Sequence, residues 1–117
     1  MRETILLVDD DESVRELGAR ILERRGFRVI LASDGVQALA LSSDEPDVHL
    51  LVTDVVMPKL GGVELARKLR ELRPQTRVLF MTGLAPDRWD DHHVEGPVLR
   101  KPFVLEDLAE RVRAALQ

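Results

Sequence analysis

Residues 50–54 read Leu50-Leu51-Val52-Thr53-Asp54, an apolar run that stops on a carboxylate. Continuous rather than alternating apolarity marks a strand covered on both faces, as in the middle of a parallel sheet. Three further runs share this form. Ile5-Leu6-Leu7-Val8 leads into Asp9-Asp10, Val78-Leu79-Phe80-Met81 into Thr82, and Val98-Leu99-Arg100 into Lys101. In open α/β sheets, ligands bind outside the carboxyl ends of the strands. If the runs are parallel strands of one sheet, three carboxylates, a hydroxyl and an ammonium meet at one edge.

The intervening segments supply the helices. Strand-like runs alternating with helical patterns mark βαβ units around a parallel sheet, and right-handed crossovers place helices on both faces. The first strand is expected over Thr4–Val8. A helix follows, with Val14, Leu17, Ile21 and Leu22 at helical spacing, Asp11 as N-cap and Gly26 as the C′ residue. Phe27–Ala32 reads as the second strand. A short second helix over Gly35–Ser43 would bury Val36, Leu39 and Ala40. Val48–Thr53 reads as the third strand. After Pro58 and Gly61-Gly62, a third helix over Val63–Arg73 carries Val63, Ala66, Leu69 and Leu72 as its inner stripe, and Pro74 closes it. Arg77–Met81 and Pro97–Arg100 are the last two strands. A final helix over Leu105–Leu116 turns Leu105, Leu108, Val112 and Leu116 inward, and Glu106 and Asp107 in its first turn complement the helix dipole. Between Gly83 and Gly96 apolar periodicity fades, so at most a short, polar fourth helix is expected there.

Composition narrows the function. The chain has 117 residues, 44% apolar and 32% charged, with a formal charge of −4 and no cysteine. That is the size of one domain able to bury a core without disulfide staples. Thiol catalysis, disulfides and cysteine metal sites are excluded. No apolar stretch is long enough to span a membrane and no signal-peptide pattern opens the chain, so a cytoplasmic location is expected. Basic residues such as Arg20, Arg24, Arg67 and Lys68 are interspersed with acids, which reads as solvated helix faces rather than a nucleic-acid surface.

The converging residues suit a phosphoryl group. Carboxylates gathered without a cation repel one another and raise one another's pKa values, and a hard divalent cation relieves that. Magnesium takes one or two carboxylates, keeps several waters and completes its shell with phosphate oxygen. An aspartate at the end of the deepest strand can act as a nucleophile and form an aspartyl-phosphate. A threonine hydroxyl and a lysine ammonium can bind phosphoryl oxygens. Taken singly, each residue has a plainer explanation as a cap or strand end, and the argument rests on their joint placement.

The stretches LLVDDDESVR, LLVTDVVMPKLGG, VLFMTG and LRKPF, in this order, resemble the receiver domain of two-component response regulators across essentially the whole chain. The resemblance implies a flavodoxin-like, doubly wound sheet of strand order 2-1-3-4-5. Residues 1–117 are then one receiver domain, either a stand-alone regulator or part of a longer protein. It implies that Asp54 is the phosphoacceptor, filled from the phosphohistidine of a sensor histidine kinase or a phosphotransfer protein. Asp10 would bind Mg2+ (or Mn2+) directly, Asp9 through a water, and Val56 through its backbone carbonyl. Thr82 would be the switch hydroxyl, Lys101 the phosphoryl-contacting lysine, and the bond before Pro102 cis. No membrane or direct nucleic-acid partner is implied, and a homodimer is left open.

The chain departs from the family pattern in three places. Val98 stands where many receivers carry an aromatic residue, which points away from an aromatic-gated switch. Gly61 replaces a frequent Asp, and the paired glycines suggest a flexible turn or an unusual backbone conformation. The segment between Thr82 and Lys101 is short, so the fourth helix is expected to be short or irregular. Within it, Asp90-Asp91-His92-His93 reads as a solvated loop and Trp89 as a packing residue; His49 has no assigned role. Two other readings compete. One is an aspartate-nucleophile phosphatase, although Val56 occupies the place of such an enzyme's second Asp. The other is a receiver that docks without phosphorylation.

Overall fold

The computed structural model describes residues 2–117. A five-stranded parallel sheet of order β2-β1-β3-β4-β5 forms its middle layer, built from β1 (Thr4–Val8), β2 (Arg28–Ala32), β3 (Leu50–Asp54), β4 (Arg77–Thr82) and β5 (Val98–Arg100). The helices are α1 (Glu12–Arg24), α2 (Gly35–Ser43), α3 (Gly62–Leu72) and α4 (Leu105–Ala115). β3 is central, with Val52 opposite Leu7 on one side and Leu79 on the other.

Strand periodicity divides the core into two clusters. Leu6, Val8, Leu51 and Phe80 face α2 and α3, meeting Ala38, Leu65 and Leu69. Ile5, Leu7, Val52, Leu79 and Met81 face α1 and α4, meeting Leu22, Leu108 and Val112. Successive side chains of a strand point to opposite faces. A strand apolar at every position therefore serves both clusters, and the run at Leu50–Val52 is fully buried.

The helix ends follow their local chemistry. The Asp11 carboxylate accepts from the N–H groups of Ser13 and Val14, capping α1. Gly26, at φ +92°, is the left-handed residue past its end.

Three helix stripes differ from those expected. In α1, Leu22 is buried with Gly18 and Ala19, Val14 and Ile21 pack partly buried against the same core, and Leu17 is exposed. In α2 the buried residues are Gly35, Ala38 and Ser42; Leu39 packs against the core, while Val36 and Ala40 face solvent. The helix is apolar almost all round, so its sequence carries no periodic signal to select a face. In α3, Gly62 and Leu65 join Ala66 and Leu69 inside, and Leu72 is 73% exposed.

The segment between β4 and β5 holds two consecutive 3-10 turns, Pro86–Arg88 and Asp90–His92, in place of a fourth α-helix. The Trp89 indole N–H donates to the Leu84 carbonyl at 3.0 Å, tying the segment to the end of β4. Asp91 pairs with Arg88, and Asp90, Asp91 and His93 are exposed, as a solvated loop requires.

Neither glycine of the Gly61-Gly62 pair has an unusual backbone. Gly61 is an extended N-cap residue (φ −71°, ψ 165°), and the positive-φ glycines among the described residues are Gly26 and Gly96. Gly62 answers a steric demand instead. A Cβ there would lie 2.0 Å from the Asp54 carbonyl oxygen, so only glycine lets α3 begin directly against the end of β3. Overpacking of this kind costs about 2 kcal/mol. Gly62→Ala is expected to lower the stability by that order, read as a lower urea midpoint at unchanged slope.

Candidate functional site

Every strand end named from the sequence arrives at the same edge of the sheet. Asp9 follows β1, and its N–H extends the β1–β2 ladder to the Ala32 carbonyl (3.2 Å). Asp54 ends β3 beside Met81 of β4. Thr82 ends β4, and its carbonyl accepts from the Lys101 N–H at 2.8 Å, which fixes Lys101 just past β5. The Lys101–Pro102 bond is cis.

Lys101 joins the carboxylates. Its Nζ lies 2.6 Å from Asp9 Oδ2 and 3.0 Å from Asp54 Oδ2. Asp9 is fully buried, and its Oδ1 accepts from the Asp11 N–H at 2.9 Å. Both Asp9 oxygens are thus engaged, whereas Asp10 is exposed at the rim. Asp9, Asp10 and Asp54 each offer an oxygen, and these atoms lie within 4.8 Å of one another. That donor set fits a hard divalent cation, with Asp10 and Asp54 offering the less committed oxygens.

The electrostatics follow from burial and pairing. Burial pushes the Asp9 carboxyl above the usual carboxylate range, against the pull of the Lys101 hydrogen bond and the Asp11 N–H; the neighbouring Asp54 charge adds to the rise. Burial alone would lower Lys101, but its hydrogen bonds to Asp9 and Asp54 outweigh it and hold the ammonium above the ordinary lysine value.

Thr82 is almost fully buried, and its Oγ accepts from the Leu84 N–H at 3.0 Å. Val56 follows Asp54 on the β3–α3 loop with its side chain half exposed. Val98 pairs with Phe80 and is partly buried, two register positions before the Thr82–Arg100 pair. His49 sits before the start of β3, where its Nδ1 accepts from the Thr4 N–H at 2.9 Å, far from the acidic edge. Arg15 is a further contributor that the sequence pattern does not single out. From α1 it reaches back to donate to the Asp9 carbonyl at 2.7 Å, holding the turn that carries the acids. Its only signal in the sequence is an arginine six residues after Asp9, one turn into the helix. A recess of about 930 Å³ lined by His49, Arg73 and Thr76 lies at the other end of the strands and shares no residue with the acidic edge.

The family model of the response regulator receiver domain matches residues 5–113. The chain belongs to the response regulator receiver family. It is similar to the response regulator receiver protein CpdR of Brucella abortus (38% identical, 96% of this chain and 95% of CpdR). It is also similar to the response regulator MprA of Mycobacterium avium (44% identical, 97% of this chain) and to the sensor kinase CckA of Brucella abortus (37% identical, 97% of this chain). The receiver spans half of MprA's length and 12% of CckA's. Among solved structures, the receiver domain of the hybrid histidine kinase CckA superposes with a TM-score of 0.82 at 35% identity, covering 97% of this chain and 99% of that one. The chemotaxis response regulator CheY4 of Vibrio cholerae gives 0.87 at 27% identity, covering 99% and 100%. No helix among the described residues is long and apolar enough to cross a membrane.

Removing the cation of this receiver exposes the cost of its buried acid. Lys101→Met leaves Asp9 charged and without a counter-charge, a loss on the order of 2 kcal/mol at neutral pH. Burial already raises the Asp9 carboxyl and the substitution removes the lysine that lowers it, so the deficit relative to wild type is expected to shrink as pH falls and Asp9 takes up a proton. Urea unfolding of both proteins at neutral and mildly acidic pH checks this.

Proposed function

We propose that this receiver accepts a phosphoryl group on Asp54 from the phosphohistidine of a sensor histidine kinase or a phosphotransfer protein, in an Mg2+-dependent reaction. One observation carries the reading: Lys101 bridges Asp54 and Asp9 while Asp10 completes a compact acidic set at the same edge. A bound Mg2+ (or Mn2+) would neutralise charge on the transferring phosphoryl oxygens.

The residues divide the work by position. A carboxylate oxygen of Asp54 forms the new P–O bond as the P–N bond of the phosphohistidine breaks, and the electron pair leaves with the imidazole. Phosphoryl transfer asks the protein mainly for positioning and charge stabilisation. Asp10, Asp54 and the Val56 carbonyl would hold the metal, with Asp9 acting through a water because both of its oxygens are engaged. Lys101 exchanges an Asp54 contact for a phosphoryl oxygen, and the Thr82 hydroxyl donates to another. Attack of water on phosphorus then returns Asp54 and releases phosphate. The phosphoryl group shifts the conformational equilibrium only by its differential affinity for the two states, typically 1–3 kcal/mol of coupling. With valine at position 98, that shift does not use an aromatic side chain there. Beyond this self-catalysed acceptance and loss of phosphate, no enzymatic turnover is proposed.

Incubation with Mg2+ and a small phosphodonor such as acetyl phosphate, followed by intact-mass measurement, is expected to add one phosphoryl group. The gain should vanish on chelation and in Asp54→Asn. Persistence of the adduct in Asp54→Asn would refute the assignment, and sustained hydrolysis of generic phosphate esters would favour a phosphatase.

A further inference from the structure

The loop of residues 55–61 carries Val56, and its course is held at three points. At its start the Val55 N–H donates to the Met81 carbonyl (3.1 Å), and at its end the Gly62 N–H donates to the Val55 carbonyl (2.9 Å). Its middle is held from outside, by the turn between β2 and α2. Leu60 packs directly on Gly35, where a Cβ would stand 2.7 Å from the Leu60 carbonyl oxygen and 2.9 Å from its Cβ. Beside this contact, Lys59 Nζ lies 3.5 Å from Asp34 Oδ2.

The turn is itself well fixed. Asp34 is buried, and its Oδ1 caps α2 by accepting from the Gln37 N–H at 2.8 Å. The Ser33 N–H donates back to Gln37 Oε1 at 2.6 Å. The cap bond, with help from Lys59, holds the Asp34 carboxyl below its ordinary value and so keeps it charged. On the other side of the contact, Lys59 has φ +70°, in the left-handed region. A residue with a Cβ stays there only when its surroundings over-determine it. The seat of Leu60 on Gly35 is the rigid part of those surroundings, and the Lys59–Asp34 pair, with the Lys59 side chain largely exposed, adds a lighter contact.

We infer that Asp34, Gly35 and Lys59 are positioning residues: the β2–α2 turn seats the β3–α3 loop so that the Val56 carbonyl completes a divalent-cation site with Asp10 and Asp54. The inference rests on the proposed phosphoacceptor reading. A backbone carbonyl has no side-chain torsion with which to aim itself, so the loop's conformation alone directs it. Magnesium is intolerant of misplaced ligands, and supporting contacts outside the ligand shell change metal affinity by about tenfold or more.

Two substitutions separate positioning from simple electrostatics. Asp34→Asn keeps a good helix cap but removes the partner of Lys59, and Lys59→Gln removes the partner of Asp34. They change the charge near the acidic edge in opposite senses. Electrostatics alone would make Asp34→Asn weaken cation binding and Lys59→Gln strengthen it, whereas positioning makes both weaken it. Calorimetric titration of each full chain with MgCl2, alongside thermal midpoints in metal-free buffer, is expected to show both affinities reduced by about tenfold. The midpoints should stay close to wild type, and Lys59→Arg should restore the affinity. Lys59→Gln binding Mg2+ as tightly as wild type, or more tightly, would overturn the inference. Asp10→Asn is the control on the underlying reading. If it binds Mg2+ like wild type, or wild type binds none, the acidic edge is not the cation site and both readings fall. If it loses Mg2+ while Lys59→Gln keeps it, only the positioning role falls.

Discussion

The contact of one ammonium with two carboxylates sets the terms for the upper edge of this sheet. Asp9 is fully buried, Asp54 lies beside it, and Lys101 Nζ is within 3.0 Å of both. Without the lysine, the acids gathered by two adjacent strand ends would face mutual repulsion that burial makes worse. With it, the edge keeps a surplus of negative charge at Asp10 and Asp54, which is what a divalent cation or an incoming phosphoryl–metal pair would meet. The site is therefore held together while remaining short of positive charge.

That arrangement depends on backbone placed to small tolerances. Lys101 is fixed by its N–H bond to Thr82, Asp9 by the extension of the β1–β2 ladder to Ala32, and the start of the β3–α3 loop by the bond from Val55 to Met81. Gly62 and Gly35 let α3 and α2 approach backbone that a methyl group would push away. The strands bring the functional groups to one edge, and the glycines and turns decide how closely the connecting loops follow. The thin segment of 3-10 turns after β4 is braced internally by the Trp89–Leu84 hydrogen bond and packs on the core through Leu84 and Val94.

Much of this is legible in the sequence, for identifiable reasons. A strand buried on both faces must be apolar at every position, so Leu50–Val52 announced its own depth. A strand end is a change of residue type, so Asp9, Asp54, Thr82 and Lys101 are readable as a set, each at the end of its own apolar run, although none is distinctive alone. The inner faces of the helices were less legible. In α2 apolar residues occur almost all round, and the buried stripe uses Ala38 and Ser42 in preference to Val36, because small residues let the helix lie close to the sheet. Leu17 and Leu72 fit helical spacing yet stand in solvent, because each helix offers the core only a narrow stripe. Arg15 carries little signal beyond its place six residues after Asp9, since an arginine that reaches back to a carbonyl looks like any other arginine on a helix.

The sequence by itself determined the order of the elements, the doubly wound sheet and the residue types that end its strands, because these depend on local periodicity and on chemistry carried by single residues. Only the tertiary structure decided which Asp9 oxygens are committed, how Lys101 divides itself between two acids, and why Gly62 and Gly35 are glycines. It also decided that Lys59 meets Asp34 from a left-handed backbone. Those facts concern distances between segments far apart in the chain, and no local pattern encodes a distance.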